Sequence, residues 1–415
     1  MLEEHSEHTD RRDKVFRFYN NDFYTAIVDG DVGRLDDMSK KYGGNFLIDV
    51  RGGVRGGVFW KSFAVLPLHL AASYRRAQSM RSLLSAGADA EVKDRLGRTP
   101  LHLVIIDWPT IQTSSPKSTS KLRAAETCLR LLCEHGVNVN AQVEGKGHQT
   151  ALHLSVRYRA PSAVQILSSY GADVNAVDAS GMTPLHMAAG TLLKDITASL
   201  IKLGADINKK MQHSGNTPLH LAVVAMATKA SKASEDDIRC VSELLQHGAR
   251  PDLENKAGLS PLHQACSMGK EELLDLLLAH GADVNKRSEA GESCLFLFLN
   301  RRPNLRNHAL LMKLLTLTSP LTLYNQDGCL PLTLTQPRFS KQRDQLLRLI
   351  QQPRTLQGIC KRDIYLKCVG GRKEDLRKVL PESLFEFVFD HWAIQHISFQ
   401  DGEHDSVQQR SCTSS

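Results

Sequence analysis

The chain has 415 residues, 41% hydrophobic and 23% charged, the balance of a water-soluble globular protein rather than a disordered or fibrous one. No apolar run reaches the roughly 18 residues a membrane span needs, and residues 1–14 are charged where a secretory signal would be apolar, so neither a membrane nor a secreted destination is expected. The net charge is +7 with Lys and Arg read as spread along the chain, which argues against nucleic acid as a partner, and nine cysteines without CxxC or zinc spacing point to reduced thiols in the cytoplasm or the nucleus.

After a tail at 1–20, residues 23–27 read as a short helix, Asp29-Gly30-Asp31 as a turn and residues 32–40 as a second helix. Residues 42–64 form a long connection with two RGG tripeptides, Arg51-Gly52-Gly53 and Arg55-Gly56-Gly57. Two copies in a short loop are a weak RNA signal, and the segment reads as a flexible insertion.

From residue 66 a tetrad recurs. It reads Leu66-Pro67-Leu68-His69, Thr99-Pro100-Leu101-His102, Thr150-Ala151-Leu152-His153 and Thr183-Pro184-Leu185-His186. Thr217-Pro218-Leu219-His220 and Ser260-Pro261-Leu262-His263 continue it, and Ser293-Cys294-Leu295-Phe296 and Leu330-Pro331-Leu332-Thr333 are worn copies. Second positions step by 33, 51, 33, 34, 43, 33 and 37 residues, a base period of 33 with insertions. In phase run Gly87-Ala88-Asp89, Gly136-Val137-Asn138, Gly171-Ala172-Asp173, Gly204-Ala205-Asp206, Gly248-Ala249-Arg250 and Gly281-Ala282-Asp283.

Each element has a mechanical reason. Thr before Pro is placed to cap a helix, and Pro in the first turn loses no hydrogen bond. Gly204 and Gly281 fit the left-handed position that ends a second helix, and Asn255 to Gly258 carry tight-turn chemistry. The stripe Leu273, Leu274, Leu276, Leu277 and Leu278 needs a stacked neighbour to bury it. Residues 107–122 and 225–237 read as surface insertions, the first with Ser114, Ser115 and Ser118 open to phosphorylation.

The two motifs at one period resemble the ankyrin family over about 80% of the chain. That resemblance implies an all-α ankyrin-repeat solenoid of about eight repeats spanning 21–352. It divides into a cryptic first repeat at 21–65, clear repeats at 66–290 and degenerate ones at 291–352. It also implies that the tetrad histidines hydrogen-bond backbone rather than bind metal, and that partners are proteins held on hairpin tips and first-helix faces. The positions so placed are Ser73 and Tyr74, Arg98, Arg157 and Tyr158, Met182, Asn216, and Ser267 and Met268.

After residue 352 the repeat stops. Thr355, Leu356, Cys360 and Ile364 fit a small residue, Leu, three residues, Cys, three residues and an aliphatic, with Leu356, Cys360 and Ile364 on one helix face. This resembles the elongin-binding box of the SOCS-box family, and implies a helical module at 353–392 that docks elongin B–elongin C, ahead of a tail at 393–415. Leu380, Pro381 and Leu384, followed by Phe387-Val388, resemble the family's cullin-binding half, although Lys378-Val379 stands where a Leu-Pro is usual. The expected function is a protein adaptor, the substrate receptor of an elongin–cullin ubiquitin ligase. The alternative is a non-catalytic scaffold or inhibitor whose C-terminal helix lays its apolar face on the eighth repeat. No phosphate loop, nucleophile motif or carboxylate pair points to an enzyme, and no cofactor or metal is expected.

Overall fold

The computed structural model describes residues 17–18, 21–42, 45, 47–50, 53–55, 58–60, 63–106, 108–109, 116–145, 147–229, 234–352, 354–369, 373–389, 397 and 399. The chain divides into two compact units, 1–179 and 180–415.

The first unit opens with β1 (Arg17–Phe18), α1 (Asn21–Asp29) and α2 (Val32–Tyr42). Phe23, Ile27 and Leu35 are fully buried, and the pair packs on α3 (Pro67–Ser73) and α4 (Ala77–Ser85), as expected of a repeat without the tetrad. Asn45 supports the same reading. It accepts from Asp89 N at 2.7 Å and donates to Gly87 O at 3.3 Å, as Asn140 does with Asp173 N at 2.8 Å and Gly171 O at 3.2 Å.

The connection read as a flexible insertion instead contains β2 (Leu47–Val50), β3 (Gly53–Arg55), β4 (Val58–Trp60) and β5 (Phe63–Val65). β2 lies between β1, parallel, and β5, antiparallel; β3 and β4 form a separate antiparallel ribbon. Val, Ile and aromatic residues at alternating positions favour this local pairing over coil. Of the two RGG tripeptides, Arg51-Gly52 and Gly56-Gly57 lie outside the described residues.

α3 (Pro67–Ser73) and α4 (Ala77–Ser85), α5 (Pro100–Ile105) and α6 (Pro116–Glu134), and α7 (Ala151–Arg157) and α8 (Pro161–Ser169) complete the unit. First helices stack in the order α1, α3, α5, α7 and second helices in the order α2, α4, α6, α8. The insertion at 107–122 is only partly a loop. Residues 116–122 are the first turns of α6, while Ser114 and Ser115 lie outside the described residues.

The second unit holds α9 (Pro184–Gly190), α10 (Lys194–Lys202), α11 (Pro218–Thr228), α12 (Glu235–Gln246), α13 (Pro261–Ser267), α14 (Glu271–Ala279), α15 (Cys294–Leu299) and α16 (His308–Leu317). α9, α11, α13 and α15 stack in that order, and α10 packs on α12. The described residues of the insertion at 225–237 are mostly helical too. α11 runs to Thr228, and Ser234 caps α12 by accepting from Asp237 N at 3.3 Å while Asp237 Oδ2 accepts from Ser234 N at 2.8 Å.

Leu273, Leu274, Leu277 and Leu278 are buried on α14 and Leu276 is half-buried, so the expected stripe is narrower by one residue. Each buried leucine contributes about 1.5–3 kcal/mol. Gly281 closes the helix with φ 86°, while its N–H reaches Leu278 O and that of Ala282 reaches Leu277 O. At the hairpin tip, Gly258 has φ 68°, and a Cβ there would sit 2.2 Å from Glu289 N in the next tip. Only glycine meets both demands.

The eighth tetrad keeps its hairpin and loses its first helix. Asn325 Oδ1 accepts from Cys329 N at 2.8 Å, as Asn255 does from Leu259 N at 3.1 Å. Leu330 offers no cap, and Pro337 breaks any helix begun at Pro331, so turns lead to α17 (Ser340–Gln351). Three further helices follow: α18 (Leu356–Cys368), α19 (Lys373–Val379) and α20 (Glu382–Phe389).

Candidate protein-interaction sites

The tetrad histidines are structural. Thr99, Thr150, Thr183, Thr217 and Ser260 each form a capping box with the histidine three residues on. In each the cap N–H donates to histidine Nδ1, at 3.1 Å in His102 and His263 and 3.2 Å in His186 and His220. An accepting Nδ1 leaves the proton on Nε2, which donates to a carbonyl of the next hairpin. His102 reaches Ala141 O at 3.1 Å, His186 Asn216 O at 3.2 Å, His220 Leu259 O at 2.9 Å and His263 Lys286 O at 3.0 Å. Burial holds His102 and His220 down to about 4, so both are neutral at pH 7. His69 keeps its bond to Arg98 O at 3.1 Å, but Leu66 supplies no cap and its buried Nδ1 is left without a partner.

Cys128, Cys133, Cys240 and Cys266 are buried, and burial pushes the Cys128 thiol up to about 12 and the Cys133 and Cys240 thiols up to about 11. They pack as small apolar groups rather than react.

Of the expected partner-binding residues in the first unit, Tyr74 is 46% exposed at the end of α3. Its hydroxyl lies 2.8 Å from that of Tyr24 and the rings meet edge to face at 6.3 Å. Arg157 is exposed and Tyr158 half-buried at the end of α7. The Arg98 guanidinium is bound to Asp94, Nε to Oδ2 at 2.8 Å and Nη2 to Oδ2 at 2.6 Å. In the second unit Met182, Asn216 and Met268 are half-buried, with Asn216 Oδ1 accepting from Asn255 Nδ2 at 2.9 Å. Tyr24 was not foreseen, because its pairing with Tyr74 spans 50 residues.

The C-terminal helices give the most definite geometry. Thr355 caps α18 by accepting from Gly358 N at 3.2 Å. Leu356 is 77% exposed, Ile364 is 39% exposed and Cys360 is exposed, so the apolar stripe faces solvent and does not lie on the repeats. The inward face carries Lys361 and Tyr365, both buried, and α18 packs through it on α14, α16 and α20. Tyr365 Oη donates to Asp275 Oδ1 at 2.7 Å. Lys313, a lysine inside the leucine run of α16, donates to both Asp275 oxygens at 3.0 and 2.8 Å and pairs with Glu271 at 2.8 Å. Arg354 donates to the carbonyls of Leu315, Thr316 and Thr318, satisfying the end of α16 just before α18 begins. Tyr365 stacks 5.8 Å from Phe389, and the Lys361 ammonium lies 4.7 Å over Phe387. Of the cullin-type residues, Leu384 is 50% exposed, Pro381 is exposed and Leu380 is half-buried between α19 and α20.

Comparison with known proteins agrees with this architecture. Residues 66–95 match the family described as ankyrin repeat, residues 132–188 ankyrin repeats (many copies), and residues 170–232 and 226–288 ankyrin repeats (3 copies). The chain is 29% identical over 244 residues to the B-cell lymphoma 3 protein homolog of Mus musculus, covering 57% of this chain and 48% of that protein. It is 27% identical over 241 residues to ankyrin repeat and SOCS box protein 16 of Mus musculus, covering 50% and 52%. It thus spans about half the length of these relatives. The solved ankyrin repeat domain of Bcl-3 is similar at 27% identity, with a TM-score of 0.47, over 56% of this chain and 93% of that one. With its matched residues folded as stacked helix pairs, the chain is a member of the ankyrin-repeat family.

Proposed function

We propose that the protein is a non-catalytic adaptor, the substrate receptor of an elongin–cullin ubiquitin ligase acting in the cytoplasm or nucleus. In this reading the repeats hold a protein substrate through Tyr74, Arg98, Arg157, Tyr158, Met182, Asn216 and Met268. Leu356, Cys360 and Ile364 dock elongin C, and Leu380, Pro381 and Leu384 meet a cullin. The observation that carries the reading is the orientation of α18. An apolar stripe is held in water while a lysine and a tyrosine occupy the inward face, the reverse of what a cap would do. The similarity to a relative named for its SOCS box supports it.

Titration of the purified full chain with elongin B–elongin C tests the reading. Leu356→Ala should weaken binding by at least about tenfold, since burying a leucine at an interface contributes about 1.5–3 kcal/mol and 1.4 kcal/mol is a decade. Cys360→Phe should remove it by holding the two helices apart. Both should leave the melting temperature unchanged, because both side chains are exposed. No complex at about tens of micromolar, some 6–7 kcal/mol, would leave the scaffold reading. Lys378-Val379 in place of Leu-Pro favours a third reading, elongin binding without a cullin.

A further inference from the structure

Contrary to the expectation from composition, the basic residues are not spread evenly along the chain. Between residues 338 and 378 there are twelve Lys and Arg against four Asp and Glu, a net +8, while the rest of the chain carries 40 against 41. This one segment holds the entire excess, and three of its basic residues line a cleft of about 670 Å³. Leu315 in the last turn of α16, Leu321 beyond it, Leu349 and Ile350 of α17, and Ile359 of α18 give the cleft apolar walls. Arg354, Lys361 and Arg362 also line it, and none of its lining residues is Asp or Glu. The volume suits a few side chains of a bound segment, and the uniform charge sign sets which segment is favoured.

We infer that this cleft is a second docking site, for an acidic peptide segment of a partner protein that seats aliphatic side chains between α17 and α18 and places carboxylates toward Arg354 and Arg362. Arg354 stays bound to the α16 carbonyls, so its charge is fixed in position before any ligand arrives. Among the described residues Arg362 pairs with its neighbour Asp363, at 2.7 Å, and its side chain, 19% exposed, lines the cleft, where a second carboxylate would meet it. The cleft uses Gln357, Gly358, Ile359, Lys361 and Arg362 of α18, not Leu356, Cys360 or Ile364. Thr355 and Phe387 also line it, so the cleft borders both box-like segments, but the peptide is tested without elongin or cullin and the inference stands or falls apart from that reading.

Fluorescence anisotropy with the full chain and a labelled ten-residue peptide of alternating glutamate and leucine provides the test, with a lysine–leucine peptide as its counterpart. The acidic peptide should bind, more weakly as salt rises. Arg362→Glu and Ser319→Glu, the second adding a like charge at the rim without touching any described ion pair, should each weaken it at least tenfold. Hydrogen exchange should slow at residues 349–350 and 356–362 when peptide is bound. Arg239→Glu on α12 should leave the affinity unchanged. Equal binding of the lysine peptide, an equal loss in Arg239→Glu, or binding only to phosphatidylserine vesicles would overturn the proposal.

Discussion

Tyr365 and Asp275, 90 residues apart, are joined by a 2.7 Å hydrogen bond that fixes which way α18 faces. Burial and the neighbouring Asp275 carboxylate push the Tyr365 phenol well above its usual range, so it remains a donor at any working pH. A bond to a charged acceptor contributes about 1.5–3 kcal/mol, and the 39% exposure of Asp275 reduces that. Tyr365→Phe should therefore cost about 1 kcal/mol in urea unfolding. Tyr365→Ala should in addition abolish hydrogen-exchange protection across residues 356–368 while α9 to α13 keep theirs. Unchanged protection of α18 would mean that the bond does not hold it.

The first tetrad lacks a cap, and this is repairable. Leu66→Thr would give α3 the capping box found at Thr99 and would supply a partner for His69 Nδ1. A gain of about 0.5–2 kcal/mol is expected, read as a higher denaturant midpoint at constant slope. A loss would show that Leu66 contributes more by packing than a cap can return.

Stability should fall with acid in a defined window. Burial lowers His102 and His220 to about 4, and lowers His69 and His263. Free histidine titrates near 6.5, so between about pH 6.5 and 4 the unfolded chain takes up protons that the folded repeats refuse. The histidine contribution is complete above pH 6.5 and is lost as pH falls through that window. His220→Phe, the residue the chain itself uses at Phe296, should lower the melting temperature at pH 7 because Leu259 O loses its donor. It should also flatten the slope below pH 6.5. A melting temperature constant from pH 7.5 to 4.5 would contradict this account.

Arg157→Glu with Tyr158→Ala should abolish partner capture by the first unit in affinity purification and leave the melting curve alone, since Arg157 is exposed and makes no described ion pair. Tyr74→Ala should act in the same direction and also remove the contact between the Tyr24 and Tyr74 hydroxyls. An unchanged set of captured proteins would move the partner surface elsewhere.

Restoring Leu-Pro by Lys378→Leu with Val379→Pro should add cullin binding to a chain already bound to elongin B–elongin C, measured by co-sedimentation of purified components. Val379 is the last residue of α19 and is 79% exposed, so the cost of proline there, one helix N–H bond and an extended preference at residue 378, falls on the last turn alone. If the double variant recruits no more cullin than the parent, the missing dipeptide is not what limits that step.

Local chemistry settled most of the repeat. Thr or Ser, then Pro, and His at the third helical position dictate a capped helix start wherever they occur. The glycines at positive φ follow from the turns around them, so the 33-residue unit was legible without coordinates. The same logic misjudged the insertions. Residues 116–122, 225–228 and 235–237 lie in segments rich in Ser, Thr, Lys and Ala yet belong to α6, α11 and α12, because a helix already nucleated and packed extends at low cost. Ladder contacts such as Asn45 with Asp89, and the pairing of Tyr24 with Tyr74, join residues 44 and 50 apart, beyond any local pattern. The face of α18 was decided by tertiary structure alone. Periodicity placed Leu356, Cys360 and Ile364 on one side, but which side met the repeats depended on a buried lysine on α16 and an aspartate on α14 waiting for a tyrosine hydroxyl.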